Sequence, residues 1–194
     1  MINIRQKETL FPIVVLMAGI LSRILFFLSE QGSPLFLYPI IDESEFVRIA
    51  GHIKENRLDY PYHFWHPPLY SYFLGLMMKI GFGLKGIVMA QMVLGLATAI
   101  FFYFALKKIN IKMAFVAAFI WAVYPLELFV ETRFLSENIF HLLLAALIFV
   151  VFNFKDKPAK FIVAGLLTGL AIITKSQFLL FFVFWWLVLA FKFK

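Results

Sequence analysis

The 194-residue chain contains no cysteine. Disulfides and thiolate metal sites are therefore excluded, and cysteine usage gives no clue to the redox compartment. Charge is scarce: 15% of residues are Asp, Glu, Lys or Arg, where a soluble domain carries about 25%. Acidic residues number 11 against 18 Lys and Arg, and there are four His. No Gly-rich phosphate loop, nucleophile elbow or His-Glu-x-x-His pair occurs, so the common nucleotide-binding, serine-hydrolase and zinc-protease signatures are missing. No internal repeat or low-complexity segment stands out.

Apolar side chains make up most of the rest. The chain is 63% hydrophobic, with 26 Phe and a mean hydropathy of +0.90. No soluble core needs that much apolar surface, so the composition predicts an integral membrane protein. The net charge of +7 fits basic cytoplasmic loops, and no nucleic-acid partner is expected. The Lys, Phe and Ile bias suits a bacterial source and hence the bacterial inner (plasma) membrane.

Hydropathy and breakers divide the chain. Arg5 and Lys7 precede an apolar run from Leu10 to Leu28, roughly 19 residues, long enough to span. No Ala-x-Ala-like cleavage site follows, so the run is expected to stay as a signal-anchor. Arg23 lies inside it, either snorkelling to the interface or meeting an anion at the outer end. A polar outer loop, 29–85, follows. Within it, Phe46, Ile49, Ala50 and Ile53 recur at helical spacing opposite Arg48, His52, Lys54 and Glu55, which predicts an amphipathic surface helix. Asp42 is expected to cap that helix. Tyr60, Tyr62, Phe64 and Trp65 suit the headgroup level. Leu69 to Phe82, with Lys79 inside, is too short to cross and predicts a second interfacial helix.

Further spans are expected at about Gly86–Leu106, from Met113 to the Tyr124-Pro125 break, and at about Phe134–Phe152. The apolar stretch from Phe161 to Phe191 would be about 46 Å long as one helix. Thr174-Lys175-Ser176-Gln177 splits it into two short spans. The expected fold is all-α: a single polytopic membrane domain over 1–194, with about six transmembrane helices and two interfacial helices in the first extracytoplasmic loop. Both termini and the Lys107–Lys112 and Lys155–Lys160 loops then share one side, which the positive-inside rule makes cytoplasmic. The other side collects every acidic residue except Glu8 and Asp156.

That outer side holds Asp42, Glu43, His63, His66, Glu131, Arg133, Glu137 and Lys175. Carboxylates and cations together at a membrane edge suit a phosphate-bearing lipid: cations or a metal hold the phosphate, and a carboxylate takes a proton from an incoming hydroxyl. Plainer roles stand beside this one. His63 and His66 would pack among interfacial aromatics, Glu137 would pair with Arg133 at (i, i+4), and Lys175 would mark the interface.

The order of these motifs resembles the N-terminal half of a GT-C glycosyltransferase, in the group of protein O-mannosyltransferases and lipid A aminoarabinose transferases. The matching residues are Arg23, the Asp42-Glu43 pair, His66-Pro67-Pro68-Leu69-Tyr70, Pro125 with Arg133 and Glu137, and Gly169-Leu170-Ala171-Ile172-Ile173-Thr174-Lys175. The resemblance implies inverting transfer of a sugar from a polyprenyl-phosphate-sugar to an acceptor hydroxyl outside the cytoplasm. It makes Asp42 the general base, with Glu43 and Glu137 positioning the acceptor. It assigns the donor phosphate to Arg133, Lys175 and Arg23, and the acceptor or a divalent metal to His66 and His63. The implied partners are the lipid-linked sugar and membrane lipid. Full-length members continue past the region matched here, so a second reading is a non-catalytic or truncated subunit that binds lipid-linked sugar beside a partner membrane subunit. A third, a small transporter, would need more ionisable residues deep in the spans than Arg23 and His141.

Overall fold

The computed structural model describes residues 4–57, 66–155 and 158–184, with side chains from residue 9. His63 and the aromatic segment through Trp65 therefore lie outside the described residues, as do residues 185–194 at the end of the last apolar segment. Every regular element among the described residues is a helix: α1 (Ile4–Glu30), α2 (Asp42–Lys54), α3 (Leu69–Lys79), α4 (Leu84–Leu106), α5 (Ile111–Val123), α6 (Pro125–Glu131), α7 (Glu137–Asn153) and α8 (Pro158–Ile172). A further helix begins at residue 178.

Two helices are long and apolar enough to cross a membrane, Thr9–Glu30 of α1 and the whole of α4. α5 and α6 together make a third, bent by 52°. The bend falls where Pro125 occupies the first turn of α6, because proline lacks the N–H that would continue the α5 ladder. Helices α7 and α8 are apolar but shorter. At 1.5 Å per residue α7 is about 25 Å long, against a hydrocarbon core of roughly 30 Å. It starts at Glu137 and not near Phe134 because residues 132–136 form an irregular connection. Among the described residues two or three spans are thus full-length by length and composition, where about six were expected over the whole chain.

The two helices expected within residues 29–85 form. In α2 Phe46, Ile49 and Ala50 are buried, and α3 is 11 residues long, too short to cross. They pack closely on each other. Gly75 allows this, since a Cβ there would lie 2.7 Å from Ile53 Cβ and 3.1 Å from the Ala50 carbonyl oxygen. Asp42 does not cap α2, contrary to expectation. Ile41 holds the N-cap position with φ 49° and no side chain caps the helix. A β-branched residue at positive φ is strained, and it sits immediately before the acidic pair.

Helix α4 is the hub of the bundle and packs against α1, α3, α5, α6 and α7. Near one end Ile87, Val88 and Met92 meet Phe46, Ala50, Tyr70, Leu74 and Phe134. Near the other, Ala99 and Tyr103 meet Val15 and the alanine stripe Ala114, Ala118 and Ala122. That stripe, at i, i+4, i+8, brings α5 close to α1 and α4. In lipid, close backbone approach replaces the hydrophobic effect as the source of helix association. Met17, Leu21, Leu25 and Leu28 of α1 stay more than half exposed, the face such a helix offers to lipid tails.

Candidate active site

Beyond these cores the same bundle carries a band of ion pairs. Glu43 and Arg133, both about 6% exposed, form a two-pronged pair. Arg133 Nε donates to Glu43 Oε1 at 2.6 Å, and Nη2 to Oε2 at 2.5 Å. The rest of the guanidinium holds the loop before α2. Nη1 donates to the Leu35 carbonyl at 2.6 Å and Nη2 to the Tyr38 carbonyl at 3.4 Å. The Ile40 N–H closes the loop onto Glu43 Oε2 at 3.1 Å. The planar fork of arginine suits such a two-oxygen partner.

Arg23 is equally occupied. Its Nη2 lies 2.5 Å from Glu131 Oε1, and Nε donates to the Met92 carbonyl at 2.9 Å. Nη1 reaches the Gly19 and Ala122 carbonyls at 3.1 and 2.9 Å. One side chain thereby ties α1 to α4, α5 and α6. Gly95 makes room for the pair: a Cβ there would overlap the Glu131 carboxylate and come within 2.9 Å of Arg23 Nη2. Of the two readings of Arg23, the anion partner is the one present, and that anion is Glu131. The expected donor-phosphate role does not fit this geometry, because Arg23 is 4% exposed and its donors already have acceptors.

The expected (i, i+4) pair between Arg133 and Glu137 is not made. Residues 132–136 are not helical, so the spacing that brings such residues together on a helix is missing. Glu137 instead meets Lys175 Nζ at 2.6 Å, each side chain about 31% exposed. Lys175 stands in the break after α8, where the Thr174 hydroxyl turns back to the Leu170 carbonyl.

Asp42 differs from its neighbours. Its side chain is 58% exposed, and among the described residues its only ionic partner is His66, with Nε2 at 3.6 Å from Oδ1. His66 packs against Phe46 with ring centroids 5.0 Å apart and the ring planes tilted by 45°. Three residues on, the Leu69 N–H donates to the Ile173 carbonyl at 3.2 Å. This bond fastens the His66-Pro67-Pro68 turn to the segment carrying Lys175. Tyr70 lies between the two halves, fully buried. Burial, and then the charges of Glu43 and Glu137, raise its pKa well above the usual value, so its hydroxyl keeps its proton and donates to Gln91 Oε1.

Gln91 is the residue that sequence reasoning missed. From inside α4 its amide donates to the Glu131 and Arg133 carbonyls, both at 2.9 Å, fixing the backbone that presents both charges. The signal was an amide in the middle of an apolar span. Asn138 acts similarly, donating to the Val130 and Leu135 carbonyls at 3.1 Å. Among the described residues no three His, Asp or Glu side chains converge as metal ligands. Asp42 and His66 alone do not make such a site.

Fold and site together define an integral membrane protein with a fixed charged cluster beside an exposed carboxylate. Residues 65–193 match the family described as dolichyl-phosphate-mannose-protein mannosyltransferase. The chain belongs to that family, within the GT-C superfamily of glycosyltransferases. Searches of curated proteins and of solved structures returned no match.

Proposed function

We infer that this chain moves a sugar from a polyprenyl-phosphate-sugar to an acceptor hydroxyl on the non-cytoplasmic side of the membrane, with inversion at the anomeric carbon. The reading assumes about six spans, with α7, α8 and the helix from residue 178 as the shorter ones. Both termini and the lysine-rich loops then face the cytoplasm, and the membrane is the bacterial inner membrane. The basic residues on α4–α5 and α7–α8 connections support that orientation.

One observation carries the assignment. Glu43, Glu131 and Glu137 are each held by a cation within 2.6 Å, whereas the Asp42 carboxylate makes no hydrogen bond among the described residues and is exposed. A general base needs a free lone pair within reach of the proton it takes. In the reaction, Asp42 accepts the proton of the acceptor hydroxyl. The acceptor oxygen attacks the anomeric carbon from the face opposite the phosphate. The bond from that carbon to the phosphate oxygen breaks, and its electron pair leaves with the polyprenyl phosphate. Lys175 neutralises the departing phosphate, for which the half-exposed Glu137 is the resting partner. His66 orients Asp42 or the acceptor. Arg133 and Glu43 act as positioning residues that keep the loop before α2 in place.

The test incubates purified protein with a panel of polyprenyl-phosphate-sugars and follows transfer by mass spectrometry. Transfer supports the reading. Donor binding without transfer favours the lipid-binding subunit, and neither binding nor transfer removes the donor assignment.

A further inference from the structure

The cluster has a further member that the proposed reaction does not use. Glu127 of α6 and His141 of α7 face each other across the bend, with His141 Nδ1 3.0 Å from Glu127 Oε2. The side chains are 12% and 25% exposed, respectively. An ionised carboxylate can only accept a hydrogen bond, so Nδ1 carries the proton, and in the neutral ring Nε2 then keeps its lone pair. Nε2 makes no hydrogen bond among the described residues. The ring cannot easily turn away. Trp121 stands perpendicular to it with centroids 5.1 Å apart, and Phe140 flanks it at 6.2 Å.

The surroundings suggest what Nε2 faces. Glu137, the partner of Lys175, lies one turn earlier on α7, and Glu131, the partner of Arg23, one turn further along α6. Both carboxylates are matched by their own cations, and with the Glu127 carboxylate beside them nothing there calls for an anion. The Trp121 indole N–H is also buried without an acceptor among the described residues. A pair that only joined α6 to α7 would have no reason to leave two polar groups open beside one aromatic wall. An imidazole acceptor, an indole donor and a flat apolar face fit a hydroxyl-bearing group, and a sugar ring in particular.

We propose that Glu127 and His141 form a hydroxyl-binding subsite, with His141 Nε2 accepting the hydrogen bond and Trp121 walling the ring. The subsite deepens the transferase reading and rests on it for its link to the reaction. The hydroxyl comes from the donor sugar or from the acceptor.

The experiment uses the full chain in lipid nanodiscs with 15N-labelled histidine, the His141 signals being assigned with His141→Gln. Four probes are added separately: dolichyl phosphate mannose, bare dolichyl phosphate, methyl α-mannoside and methyl α-glucoside. In the free protein Nδ1 is expected to be protonated and Nε2 unprotonated. A sugar-bearing probe is expected to shift Nε2 while bare lipid phosphate leaves it in place. A shift with the mannosyl lipid alone assigns the hydroxyl to the donor. A shift with either methyl glycoside assigns it to a free hydroxyl such as an acceptor supplies. A proton on Nε2 in the free protein, an equal response to bare lipid phosphate, or no response to any sugar-bearing probe overturns the subsite. Lipid binding is followed in parallel by native mass spectrometry. Lipids that do not bind remove the donor reading, while the methyl glycosides still decide the subsite. In Glu127→Gln the amide can also donate to Nδ1, so the tautomer preference and the sugar response are expected to weaken at unchanged melting temperature. A variant that keeps both as in the wild type also overturns the proposal.

Discussion

Replacing Glu43 with Ala should cost the protein far more than the loss of one surface charge. Arg133 would remain about 5% exposed with a full charge and only the Leu35 and Tyr38 carbonyls to face. Removing one partner of a buried pair costs about 3–5 kcal/mol, because the other is left uncompensated. Replacing both partners with apolar residues of similar volume is often near neutral. Glu43→Ala is therefore expected to lower the thermal midpoint in detergent strongly, and Glu43→Leu with Arg133→Met should recover most of the loss. The assay is a thermal unfolding series on the wild type, Glu43→Ala, Glu43→Leu, Arg133→Met and the Glu43→Leu/Arg133→Met double variant. Additive single-site losses would refute the claim that the pair is a closed unit. So would a Glu43→Ala midpoint equal to that of the wild type.

Three further outcomes follow from named contacts. Gly95→Ala places a methyl group where the Glu131 carboxylate lies, so it should lower stability by about 1–3 kcal/mol, measured by the same unfolding assay. Gln91→Leu strands the Tyr70 hydroxyl and the Glu131 carbonyl and leaves the Arg133 carbonyl only the long bond from Asn138 Nδ2 at 3.5 Å. It should destabilise by about 1–3 kcal/mol for each group left without a partner, and the sum should be lower where water reaches the site. Lys175→Gln removes the partner of a half-exposed carboxylate. It should leave the melting temperature within a few degrees while weakening binding of bare polyprenyl phosphate in a pull-down from nanodiscs.

The local parts of the structure were legible in the sequence. The apolar stripe of α2 was written at helical spacing, Pro125 marked the bend, and Thr174-Lys175-Ser176-Gln177 marked the break after α8. Pairings that span the chain were not legible. Arg23 and Glu131 are 108 residues apart, and Glu43 and Arg133 are 90 apart. Helical spacing offered Arg133 a nearer partner in Glu137, but the chain leaves helical geometry between them. The strain at Ile41 was also invisible, since an isoleucine at positive φ contradicts its own preference and is imposed by the surrounding contacts. The acidic pair could be read as one functional unit in the sequence. In the fold its members part, Glu43 inward to Arg133 and Asp42 outward beside His66.

That division is tested most directly by Asp42→Asn in purified protein. Sugar transfer from a polyprenyl-phosphate donor and the melting temperature would be measured on the same sample. The account predicts that transfer falls by about 10²–10⁴-fold, the usual contribution of a positioned base, with the midpoint unmoved. Transfer within a few-fold of wild type, or a collapse in stability like that expected for Glu43→Ala, would contradict it.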